Sequence, residues 1–199
     1  MPTLAEALQR LCDQAKRTPP KEWVRVVGGW SEFQFAERRM PTLEEINEAV
    51  PDNPAFVLHL YQSAMLNRLG VADVGYNRAT PDPPGGVIER GEAGNPTGFI
   101  FAKLNANILY STLAKGPKLS SSDQLNSIRQ FLRELNRVGI TSVIDAGGGF
   151  QNFPEDYTVM GDLAKRGLLT VRVAYNLFTQ RPKHELEDFA SWVNMTKPG

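Results

Sequence analysis

One cysteine, Cys12, and two histidines, His59 and His184, are all that this 199-residue chain offers of two residue types on which disulfides and many metal centres depend. A single thiol excludes an intrachain disulfide and a thiolate cluster. A catalytic zinc site takes about three protein ligands, and the histidines form neither a His-x-His nor an HExxH pair. No metal site built wholly from this chain is therefore expected. Charge of one sign is also lacking, since Lys plus Arg and Asp plus Glu both number 22. Nucleic-acid binding usually needs a basic surplus and is not expected. No apolar run approaches the roughly 18 to 20 residues that span a bilayer. The opening MPTLAEALQRLCDQAKR lacks the basic region and apolar stretch of a secretory signal. The expectation is a soluble, cytoplasmic protein, and a hydrophobic content of 41% leaves enough for a core.

Regular structure is well signposted. Thr3 and Glu6 have capping-box spacing, and Leu4, Leu8, Leu11 and Ala15 share a face, so a helix is predicted up to Thr18, Pro19 and Pro20. EWVRVVGGW, from Glu22 to Trp30, reads as a short strand. Thr42 and Glu45 open a second helix, which runs through Val50 and which Pro51 closes. AFVLHLY then reads as a buried strand and SAMLNRLGV as a helix. The Pro- and Gly-rich stretch 76–98 is a long loop carrying a small hairpin, with VIER and GFIF as its arms. Downstream, Ser121 and Gln124 cap a helix that ends at Gly139, with Leu125, Ile128, Leu132 and Leu135 along one side. TSVID is a strand, Glu155 to Arg166 a helix, LLTVRVAYNLF a strand and KHELEDFASWV a helix. That alternation implies parallel strands with helical crossovers.

Few side chains suggest chemistry. His59 sits inside an apolar strand, where a polar group needs a partner or a cavity; a satisfied core histidine and a site residue both fit. His184 stands at a helix start, as a solvated or capping residue would. Gly147, Gly148 and Gly149 follow a strand but match neither the P-loop nor the GxGxxG spacing. Asp145 closes the strand before them, where α/β sheets and barrels place ligand sites, although an Asx turn would use an aspartate equally well. Asn176 has a similar place. Cys12 lies on an apolar helix face and reads as packing. Arg38 and Arg39 follow the aromatic-rich WSEFQFAE and fit either an acidic substrate group or a solvated loop.

Four stretches together, EWVRVVGGW, RRMPTLEEINEAVPDNP, PPGGVIERGEAGNPTG and GITSVIDAG, resemble the amidohydrolase family 3 group, to which N-substituted formamide deformylases and YtcJ-like proteins belong. Trp23, Gly29, Trp30, Arg39, Pro41, Thr42, Pro51, Asp52 and Pro54 match the first motifs of that group. Gly86, Ile88, Arg90, Gly94, Pro96, Thr97 and Gly98 match its hairpin. The resemblance covers roughly residues 22 to 175. It departs in two places: relatives often carry a Gly-His pair where this chain reads HLYQSAMLN, and an Asp where it has Gly91.

The resemblance implies an α/β fold, part of a metal-dependent (β/α)8 TIM barrel, with this chain an internal portion. Residues 1–110 would be an insertion and early barrel region that includes the 76–98 hairpin, and 111–199 would be βα barrel units. It further implies that the intact parent hydrolyses a non-peptide, amide-type C–N bond in a small-molecule substrate, using zinc or another divalent metal. This chain would shape the substrate pocket through Trp30, His59, Tyr61 and Asp145, contribute no metal ligand and be inactive when isolated. The alternative is a non-catalytic binding or interaction module, or an inactive truncated fragment. An incomplete barrel exposes strand edges, which favour self-association into a homo-oligomer.

Overall fold

The computed structural model describes residues 2–146, 153–179, 181 and 183–195, in two compact units, Met1–Lys118 and Leu119–Gly199. The glycine triplet Gly147–Gly149 lies outside the described residues. The architecture is mixed α/β, and among the described residues no barrel is closed: one unit holds a five-stranded sheet and the other a two-stranded one.

Helix α1 (Leu4–Arg17) opens the first unit with the capping box read from Thr3 and Glu6. The Thr3 hydroxyl accepts from the Glu6 amide at 3.2 Å and the Glu6 carboxylate from the Thr3 amide at 2.6 Å. Strand β1 (Val24–Trp30) follows, then α2 (Leu43–Ala49), capped by Thr42, and β2 (Ala55–His59). The stretch read as one helix after β2 splits in two. Ser63–Leu66 is strand β3, and only Arg68–Asp73 is helical, as α3. The reason is burial on both sides. Ala64 and Leu66 face one core and Met65 the other, an alternation that a strand provides and a helix does not. The Pro/Gly-rich stretch supplies the hairpin β4 (Gly86–Arg90) and β5 (Pro96–Ala102), and α4 (Asn107–Leu113) closes the unit.

The sheet order is β1-β2-β3-β5-β4, with β1 and β2 parallel and the other pairs antiparallel. Both faces are covered. Leu11, Ala15, Ile46 and Val50 of the α1–α2 layer pack on Val24, Ala55, Val57 and Met65. Val74, Ile108 and Leu109, from the α3–α4 side, pack on Phe56, Leu58, Ala64, Leu66, Ile88 and Ile100. Residues that carry the family resemblance hold this layer structure together. The Trp23 indole donates to Asp73 at 2.6 Å, Arg90 to Asp82 at 2.8 Å and the Thr97 hydroxyl to Glu89 at 2.7 Å. Gly98, at φ +113°, lets β5 approach the Leu66 carbonyl so closely that a Cβ would sit 2.3 Å from that oxygen.

At the centre is Asn67, 1% exposed. Its amide oxygen accepts from the backbone N–H of Ala55 (2.9 Å) and Gly70 (2.8 Å), and its amide nitrogen donates to the carbonyls of Val50 and Asn53, both at 2.8 Å.

The second unit contains α5 (Ser121–Arg137), β6 (Ser142–Asp145), a 3-10 turn at Glu155–Tyr157, α6 (Thr158–Lys165), β7 (Arg172–Tyr175) and α7 (Glu185–Met195). The cap of α5 is Ser120 and not Ser121. Its hydroxyl accepts from the Asp123 amide at 3.2 Å and donates to the Asp123 carboxylate at 2.5 Å, while the Gln124 side-chain amide donates to the Leu119 carbonyl at 2.9 Å. Gly139 takes the left-handed conformation expected after a helix end, at φ +79°. β6 and β7 are parallel, with α6 between them in sequence. Leu132, Leu163 and Val171 are buried, while Ile144 on β6 is 70% exposed. Among the described residues no helix is long and apolar enough to cross a membrane.

Two predictions come from these contacts. Asn67→Ala strips four buried backbone groups of their partner and is expected to cost on the order of 3 kcal/mol in urea unfolding; a loss below about 1 kcal/mol contradicts the role given to Asn67. Arg39 grips both oxygens of Glu45, at 2.7 and 2.8 Å. This fork, aided by the Thr42 amide, pulls the Glu45 carboxyl from an ordinary 4.5 down to about 2. A carboxyl whose pKa is lower in the folded chain contributes stability above its unfolded value and loses it as pH falls. The thermal-stability gap between the natural chain and Glu45→Gln should be full at neutral pH and shrink as pH falls from 4.5 towards 2. A gap independent of pH contradicts it.

Candidate functional site

Parallel strands β1 and β2 end side by side, and Trp30 and His59 are register partners there. Alternation along β2 puts His59 on the same face as Ala55 and Val57, the α1–α2 side, yet past the apolar core. An imidazole in that position needs polar partners, and it has them. Its Nε2 lies 2.8 Å from a carboxylate oxygen of Glu32, on the 3-10 turn Glu32–Gln34 just beyond β1. Its Nδ1 lies 3.4 Å from the hydroxyl of Ser63, its neighbour across the β2–β3 pair. The His59 side chain is 16% exposed and that of Glu32 32%. The N–H of its own backbone and then the His59 imidazole hold the Glu32 carboxyl below the usual carboxylate range. Trp30 meets Phe35 edge to face, with ring centroids 5.6 Å apart. A cavity of about 260 Å³ beside these rings is lined by Trp30, Phe35, Gln34, Val26, Leu11 and Arg10, among others.

Tyr61 sits in the turn that joins β2 to β3 and is 70% exposed. Its ring lies 6.3 Å from that of Tyr110 on α4, the helix on the opposite side of the sheet from His59. Burial, and then the adjacent Tyr61 phenol, raise the Tyr110 phenol above its ordinary range. The structure thus brings Trp30 and His59 together with Glu32 and Ser63, and turns Tyr61 to the other side.

Asp145 belongs to the second unit, at the carboxyl end of β6 opposite Tyr175 on β7. The Tyr157 hydroxyl donates to its carboxylate at 3.1 Å, and the backbone N–H of Asn176 donates to its carbonyl at 2.8 Å. Phe153, Tyr157 and Tyr175 line a cavity of about 350 Å³ there, with Met160, Leu169 and Val173.

The remaining candidates are structural. His184 is half exposed and bonds Glu187 at 2.9 Å, one turn along α7. Cys12 lies half-buried on α1. Arg39 is spent on Glu45, and Arg38 occupies a left-handed turn position at φ +53°. Glu32, Ser63 and Tyr157 were not singled out from the sequence. Only the unexplained polarity of His59 pointed towards a partner, and nothing in the chain's order links position 32 to position 59.

Among the described residues no three His, Cys, Asp or Glu side chains converge as a metal would require. The donor set seen here does not fit the divalent metal that the resemblance implies.

Comparison with known proteins agrees with the sequence motifs. The model of the amidohydrolase family matches residues 1–199. The chain is 32% identical over 148 residues to an N-substituted formamide deformylase of Arthrobacter pascens, a match that covers 72% of this chain and 27% of that protein. It is 32% identical over 103 residues to the putative amidohydrolase YtcJ of Bacillus subtilis (strain 168), covering 51% of this chain and 19% of the other. To the protein LONG AFTER FAR-RED 3 of Arabidopsis thaliana it is 27% identical over 139 residues, covering 69% and 23%. The chain thus spans about a quarter or less of the length of these relatives. No solved structure matches it significantly. From the family match and the motifs together, the chain belongs to the amidohydrolase family.

Proposed function

We propose that this chain forms part of the substrate pocket of a hydrolase that cleaves a non-peptide, amide-type C–N bond in a small molecule. The observation that carries the reading is the grouping of Trp30, Glu32, His59 and Ser63 at the carboxyl ends of two parallel strands, in a chain that resembles an N-substituted formamide deformylase. Carboxyl ends of parallel strands are where α/β folds bind ligands. Trp30 and Phe35 offer an apolar wall to the cavity beside them, and His59 and Ser63, at the adjoining strand ends and not among that cavity's lining residues, offer polar groups able to orient a ligand.

The chemistry of the pair is unequal. Glu32 holds Nε2 of His59 at a normal hydrogen-bond distance, whereas the contact between Nδ1 and Ser63 at 3.4 Å is long and weak. A substrate amide displaces the weak contact, with its carbonyl accepting from the Ser63 hydroxyl or its N–H donating to Nδ1. Glu32 meanwhile keeps the ring in place. Tyr61, exposed at the strand turn, faces the other side of the sheet and is not assigned to this pocket, and Asp145 is a separate candidate within the second unit. The metal of the intact hydrolase is assigned to none of the described residues.

Two measurements test the reading. In the active hydrolase that carries this chain, assayed on an N-substituted formamide, His59→Ala should raise KM or lower kcat by about tenfold. Unchanged kinetics would remove His59 from the pocket. Elemental analysis of the folded 199-residue chain, after loosely bound ions are removed, should find zinc, manganese and iron well below one per chain. One tightly held ion per chain contradicts the assignment of the metal elsewhere.

A further inference from the structure

Cross-strand register carries one row of side chains over the whole five-stranded sheet. Trp30 on β1 pairs with His59 on β2, His59 with Ser63 on β3, Ser63 with Phe101 on β5, and Phe101 with Val87 on β4. Register partners point to one face of a sheet, so the row stands on the α1–α2 side. Phe99, two residues before Phe101, packs into the core of that side. The two rings are stacked, 14° apart in plane with centroids at 5.9 Å. Phe101 itself is 36% exposed. Gly98 helps to bring it beside Ser63, because the missing Cβ lets β5 close on the Leu66 carbonyl.

The two sides of His59 are not alike. Glu32, on the turn just beyond β1, occupies Nε2, and the neighbouring Trp30 ring is already met edge to face by Phe35. An apolar group laid there would strip water from the Glu32 carboxylate, an unfavourable exchange. On the β3 side, Nδ1 and Ser63 make only the long 3.4 Å contact, and the next side chain along the row is the Phe101 ring. Neighbouring strands lie about 4.8 Å apart, so a chain of a few carbons, started from an amide held at Ser63, reaches across that ring.

We infer that Phe101 sets specificity in this pocket: its ring is the surface on which the apolar N-substituent of the substrate amide lies. This rests on the reading of the Trp30–His59 strand ends as a substrate pocket. The substrate class narrows to amides whose nitrogen carries an uncharged hydrocarbon group longer than methyl. Each methylene that such a group removes from water against the ring strengthens binding, up to the length at which the ring is covered. The hairpin motif ends at Gly98, so Phe101 lies outside the residues that carry the family resemblance.

Selectivity in the active hydrolase that carries this chain tests the inference. The probes are N-methylformamide and N-hexylformamide, and the readout is the hexyl-to-methyl ratio of kcat/KM, in which any loss of folded enzyme cancels. The unchanged enzyme should favour the hexyl compound by about tenfold or more. Phe101→Ala should pull the ratio down by about tenfold, and Phe101→Leu, which keeps apolar surface, by about threefold or less. His59→Ala should lower kcat/KM for both probes and leave their ratio within about twofold. A ratio unmoved by Phe101→Ala overturns the inference, as does a ratio that falls with Trp30→Ala instead. If His59→Ala changes neither probe, or the unchanged enzyme turns over neither, the pocket reading fails and the inference falls with it. If His59→Ala weakens both probes while Phe101→Ala leaves the ratio alone, only the inference falls.

Discussion

A buried primary amide holds the first unit in register. Asn67 speaks to four separated pieces of backbone: the end of α2, the Asn53 turn, the start of β2 and the first turn of α3. Each of those groups is a strong donor or acceptor that burial would otherwise leave unpaired, and an unpaired buried group costs more than a hydrogen bond gains. An amide is the smallest side chain with two donors and an acceptor of two lone pairs, and here all are used. Gly70 fits the same corner, since a Cβ at that position would lie 2.8 Å from the Ala55 carbonyl. Because Asn67 sets where β2 begins, it also sets where β2 ends, and so the height of His59 relative to Trp30.

Among the described residues each unit contains one parallel strand pair, and in each the polar candidate falls at the carboxyl end of that pair. The local solutions differ. His59 is an imidazole at the margin of an apolar core, answered by a carboxylate from the following turn and a hydroxyl from the neighbouring strand. Asp145 is an acid answered by a phenol from an aromatic cluster. In both the polar group is fixed by residues outside its own strand.

The sequence made the local devices legible. The capping boxes at Thr3 and Thr42, the left-handed Gly139 and the hairpin arms were all readable because each depends on residues a few positions apart. The family too was readable, through motifs such as Trp23, Arg90 and Gly98 that turn out to brace the sheet. Reading failed where the cause is distant. β3 was mistaken for helix because Ser-Ala-Met-Leu shows no polar alternation when both faces are covered. Asn67 fell inside the helix read over SAMLNRLGV. Its two carbonyl partners lie 14 and 17 residues upstream, and the partner of His59 lies 27 residues away.

The order of the five-stranded sheet bears on how the first unit assembles. β2 and β3 are joined by the turn at residues 60–62, and β4 and β5 by residues 91–95, so both pairings close small loops. β1 reaches β2 only by way of α2, as parallel neighbours must. Closing the longer loop costs more chain entropy before any contact repays it. Refolding followed by hydrogen exchange would then protect the amides of the two hairpins before those of β1. The Trp30–His59 end of the sheet would be the last part of it to exist, and the first to open when the chain breathes.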